Sequence, residues 1–213
     1  MLSHLIMSDV KQHYMERCEI HKELVRTLDT DGDSFTNLAL GISNPAGNYS
    51  AAEHALGIRI LKENGSRSIL SLARELNNCH SPKKIPEIIS AHKLKYLKIS
   101  VGSEMSMMLS PDKFWVANVR TVWSHLLIKH GDDYKIANEA LSLYRDSEGD
   151  RSSEMEYKIW SEIHPLLEVS LCRLNDLGNN EAQRQNVKPG QRKYLWADAI
   201  ANALYASRST HSV

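Results

Sequence analysis

Arg120 and His125 are the residues of this 213-residue chain whose types and spacing could do chemistry together. They stand five positions apart in RTVWSH, inside a stretch that reads as one helix over 111–130. A guanidinium carries a permanent charge and a rigid fork of N–H donors, which suits a phosphate or another oxyanion. An imidazole titrates near neutral pH and can take up or release a proton there. Such a pair could stabilise developing negative charge and move a proton without a metal. Five positions turn a helix by about 140°, so the two side chains leave on different flanks. Arg120 falls beside Val116 and Leu127, whereas His125 shares a flank with Asn118 and Thr121. The structural alternative is an arginine paired with a carboxylate at the core edge and a histidine bonded to a neighbouring helix.

The element that must position them has recognisable ends. Ser110-Pro111 suits a helix start, with Asp112 favourable at the positive end of the dipole. Lys129, His130 and Gly131 read as the stop. Trp115, Val119, Val122 and Leu126 form one row, and Val116, Trp123 and Leu127 the row beside it. Two tryptophans on one wide apolar face need more than one neighbour to cover them, so this helix is expected near the centre of the fold. The Arg-x4-His pattern within it is similar to the active-site pattern of HEPN-type ribonucleases. The resemblance implies a helical dimer that cleaves RNA without a metal, an arginine and a histidine from each chain meeting at the interface. Arg120 and His125 would then be the catalytic residues. The resemblance covers six residues, and Thr121 follows the arginine where the family often has another polar residue.

Other residues offer less. Lys83, Lys84, Lys93, Lys95 and Lys98 are the densest positive charge in the chain and could contact phosphate, or form a solvated face. By helical angle the last three spread widely and make no stripe. A helix pair over 50–79, broken at Asn64-Gly65, could resemble a helix-turn-helix, but Arg67 and Arg74 have little basic support. His13, Arg17 and His21 form an i, i+4, i+8 row and read as an exposed charged face; metal pairs are normally three or four apart. Asp29-Thr-Asp-Gly-Asp-Ser has Ser34 and Leu40 where a calcium loop needs glycine and glutamate, so it reads as a polar turn. Cys18, Cys79 and Cys172 are dispersed and odd in number, which suggests reduced core thiols and a cytoplasmic location. No metal site and no cofactor is implied.

Lys plus Arg equals Asp plus Glu at 26 each, so no global charge draws the chain to nucleic acid or to an anionic membrane. No apolar run is long enough for a membrane span, and the start, MLSHLIMSDVKQ, lacks the features of a signal peptide. Strand alternation is nearly absent. The expectation is an all-α fold of eight or nine helices around the helix at 111–130. It forms a single helical domain over 1–213, with any sub-division near 78–86 or 146–153. Expected elements include helices over 8–28 and 86–99, a break near Gly102, a kink or new start at Pro165, a stop at Gly178, and a last helix over 191–207. The favoured function is a non-catalytic interaction or accessory subunit of a larger cytosolic assembly, with a prokaryotic defence-type system as its context by analogy. A protein partner, or a second copy, is expected. The alternatives are the HEPN-type ribonuclease and a helical nucleic-acid-binding module using the lysines.

Overall fold

The computed structural model describes residues 1–142 and 157–210, and these contain ten α-helices and no strand. The expected all-α class is therefore the one observed. The helices are α1 (Met7–Thr27), α2 (Gly32–Ala39), α3 (Tyr49–Ala52), α4 (Leu56–Asn78), α5 (Ile85–Ala91), α6 (Ile99–Leu109), α7 (Val119–Lys129), α8 (Tyr134–Ser142), α9 (Tyr157–Arg184) and α10 (Lys193–Ala206). The chain forms two compact units, one of residues 1–15 with 119–213 and the other of residues 16–118. The turn at 78–86 lies within the second unit, and 146–153 lies outside the described residues.

In the first unit α7 packs against α8, α9 and α10, and α10 also packs along α9. Trp123 is fully buried there. Its ring meets Tyr134 and Tyr205 edge-on, with centroids 5.5 and 5.7 Å away, and its Nε1–H donates to Asn138 Oδ1 at 2.8 Å. The aromatic edge-to-face geometry and the satisfied indole make this a well-packed centre. Within this unit the central role expected for the helix holds, but its start does not. Residues 110–118 are a turn followed by an irregular segment, and α7 begins only at Val119. Ser110 ends α6 instead of capping α7: its N–H donates to Ser106 O, and its carbonyl accepts from Lys113 and Phe114. Phe114 to Ala117 are buried outside any helix, and Ala117 N–H is taken by Ser103 Oγ at 2.9 Å.

α9 runs on past Pro165, with no new start there, and past Gly178, where a stop was expected, to Arg184. Gly178 is a packing glycine: a Cβ there would lie 2.1 Å from Ile200 Cδ1 on α10. The space that glycine leaves lets the two helices approach, so it continues the helix instead of ending it.

The second unit is organised on α6 and α4, which contact each other and α3 and α5. Every residue of α6 except Ser100 is buried. No break occurs at Gly102, which packs on Ile89 of α5. The helix expected over 86–99 ends at Ala91, and residues 92–98 form a loop with left-handed Lys93 and Tyr96. Asn48 caps α3, its side chain accepting from Ala51 N–H. The expected break at Asn64-Gly65 is present as a kink, with Gly65 at φ 73°. The aspartate-rich turn works as a helix cap, Asp31 accepting from Ser34 N–H at 3.0 Å and from its hydroxyl at 2.6 Å to start α2.

Candidate functional site

His125 sits on the α7 flank that faces α9. Its Nδ1 is 2.7 Å from Ser170 Oγ, and Ser170 is itself buried. The ring is half-buried. Burial, then the positive charges of Lys129 and His130, hold its pKa below the ordinary imidazole value of 6.5. His125 is thus neutral at physiological pH and its orientation is fixed by a hydroxyl. Such a ring can accept a proton, and it is also what a histidine tying two helices together looks like. Arg120 lies one and a half turns earlier on α7 and is half-buried. Five residues of regular helix keep the two side chains about 140° apart, so one copy of α7 does not converge them on a single point.

All five candidate lysines are exposed, but they fall in two places. Lys83 and Lys84 lie in a 3-10 turn before α5, and Lys93, Lys95 and Lys98 in the loop after it. The seven residues of α5 between them span about 10 Å. α4 supplies carboxylates to that loop: Lys95 Nζ is 3.1 Å from Glu63, and His92 Nε2 is 2.8 Å from Glu75. Asn64 fixes the loop through a two-way bond with the Lys95 backbone, at 2.8 and 2.9 Å. The arrangement is a held loop with partly answered charge, not a continuous basic stripe.

The row of His13, Arg17 and His21 is not an exposed face. Arg17 is fully buried and His21 nearly so. Arg17 donates to Glu104 at 2.8 Å and to Ala46 O at 3.0 Å, and its guanidinium lies 4.8 Å from the Tyr49 ring centroid. Glu104 on α6 also accepts from the N–H groups of Tyr49 and Ser50 and from the Ser50 hydroxyl, at 2.7–3.0 Å. Burial opposes ionisation of this carboxyl, but Arg17 and the Ser50 donors outweigh it and hold the pKa low. His21 Nδ1 meets Met108 O at 2.7 Å. This cluster ties α1, α3 and α6 together, and nothing in the local pattern around Arg17 signalled it, since Glu104 lies 87 positions away.

Among the described residues no group of three or more His, Cys, Asp or Glu is placed to hold a metal ion. None of the described helices is long and apolar enough to cross a membrane. Among the described residues the surface of α9 carries the most exposed large apolar side chain: Val169 is 76% and Leu166 58% exposed. They lie three apart, so they share a ridge, with exposed Glu162 and Arg173 towards either end. The opposite side of α9 is closed by Leu167, Leu171 and Leu174. No protein-family model, curated protein or solved structure matches the chain.

Proposed function

We propose that this chain is a non-catalytic helical interaction subunit that presents the Leu166–Val169 ridge of α9 to a protein partner. The observation that carries the reading is the exposure of those two side chains on a helix whose other face is already packed. Full burial of a Val or Leu side chain is worth roughly 1.5–3 kcal/mol, so this ridge holds back stabilisation that a partner could realise. An apolar centre with charged residues at its edges is also the usual layout of a protein interface. The test is affinity capture from the native host with wild type and with the double variant Leu166→Asp, Val169→Asp. A stoichiometric partner held by wild type and lost by the variant, at unchanged melting temperature, is the expected result. Identical captures would refute it.

A second reading is the metal-independent ribonuclease, favoured by one observation: His125 is a neutral, oriented imidazole with a lowered pKa. Because one helix does not converge Arg120 and His125, this reading needs a second copy to complete the site. RNA incubated in chelator with wild type, Arg120→Ala and His125→Ala tests it. Loss of cleavage by about 10²–10⁴-fold in both variants supports it, and no cleavage by wild type counts against it.

A further inference from the structure

A groove of about 410 Å³ lies between the first two turns of α1 and the end of α10, within the first unit. Its size falls among small-molecule sites, roughly 300–1,000 Å³. Leu5, Val10, Ala199 and Ala203 give it an apolar floor. The two alanines stand one turn apart on α10, and their small side chains leave the space open. One end is closed by a bond of 2.8 Å between His4 Nε2 and Ser207 Oγ.

Of the amides at the start of α1, which would suit an anion, three are engaged: Met7 N–H donates to Gln185 Oε1 at 2.9 Å, and those of Asp9 and Val10 to Ile6 O at 3.1 and 3.3 Å. Ser207 gives its hydroxyl proton to Leu204 O at 2.8 Å, so His4 Nε2 is the donor in their pair. Asn202 Nδ2 donates to Asp198 O at 2.8 Å, which leaves Oδ1 as an acceptor. The exposed Asp9 carboxylate receives a long bond of 3.3 Å from the Ser8 hydroxyl and keeps further acceptor sites. Asp9 and Asn202 therefore present acceptors to the groove, which the His13 imidazole also lines.

We propose that this groove binds an organic ammonium ion with a compact apolar body. Asp9 takes the charge, Asn202 Oδ1 takes one N–H, and the body rests on Leu5, Val10, Ala199 and Ala203. The volume suits a ring better than a linear stem, which would leave much of the floor wet. This site is independent of the α9 ridge and of Arg120 and His125.

The experiment is a titration of the full ¹⁵N-labelled chain followed by NMR, at mildly alkaline pH where an ordinary imidazole is neutral. The probes are phenethylamine, phenylacetate and N-acetyl-lysine methylamide. Phenethylamine should shift amides in 4–13 and 199–207 saturably, and phenylacetate should not. Asp9→Asn should weaken phenethylamine by about tenfold or more, the loss of one charge-assisted bond. Ala203→Leu, which fills the floor, should abolish binding with Asp9 intact. If that variant fails to fold, the surface change Asp9→Asn decides alone. Equal binding of phenylacetate, full-strength binding to Asp9→Asn, or no saturable shift overturns the proposal. Tighter binding of the lysine derivative than of phenethylamine overturns the assignment to a small amine.

Discussion

Removing the carboxylate of Glu104 should cost far more than removing the guanidinium of Arg17, although both lie in one buried pair. Breaking a buried ion pair from one side costs about 3–5 kcal/mol, because the remaining charge is uncompensated. Glu104 also accepts from Tyr49 N–H, Ser50 N–H and the Ser50 hydroxyl. In Glu104→Leu those donors lose their acceptor as well, at about 1–3 kcal/mol for each that stays buried. Even the low ends of these ranges sum to about 5–6 kcal/mol, comparable to the whole stability of many domains, about 5–15 kcal/mol. In Arg17→Met the carboxylate keeps its three other donors, so the loss should stay near the single-pair figure. The double variant should cost less than the sum of the singles by more than about 0.5 kcal/mol, since the two sites share partners. Urea unfolding of wild type, both singles and the double, read by circular dichroism, measures all four corners. Equal losses for the singles, or additivity of the double, would refute the claim that Glu104 is the hub that holds α3 to α6.

Trp123→Ala should destabilise by about 3–5 kcal/mol, because it empties the site between Tyr134 and Tyr205; a melting curve unchanged within a degree or two would contradict it. Trp115→Ala, in the buried segment before α7, should fall in the same range and is read by the same melt. His125 supplies a pH test. Its folded pKa lies below 6.5, so below that pH the unfolded chain binds more protons than the folded one, and stability falls as the medium is acidified. Above 6.5 this contribution is fully present. His125→Gln should therefore flatten the pH dependence of stability just below 6.5, measured by urea midpoints across that window; an unchanged slope would refute the shift.

The helical class was legible because most elements are amphipathic, and caps and breaks such as Asn64-Gly65 obeyed local chemistry. The misreadings share a cause, which is tertiary contact overriding a local signal. Residues 111–118 have helical apolar spacing and a serine–proline start, yet Ser103 captures the Ala117 amide and Phe114 to Ala117 are buried without forming a helix. α6 was hidden by the opposite fault: buried almost all round, it has no polar face to give a period, and its glycine resembles a break. Gly178 looked like a stop because sequence does not reveal Ile200 beside it. Of the candidate site, the helix bearing Arg120 and His125 was legible. Ser170, 45 positions away, was not, and neither was the spacing of the lysines about α5.

The ridge on α9 is tested most directly by hydroxyl-radical footprinting of the purified chain and of the same chain in its native assembly. That method reads side-chain exposure residue by residue. Leu166 and Val169 should be oxidised readily in the purified chain and protected several-fold in the assembly, while exposed Ile58 in the second unit should be unchanged. Equal oxidation of Leu166 and Val169 in the two states, with protection appearing instead around 83–98, would contradict it and point to the lysine-bearing loops as the contact surface.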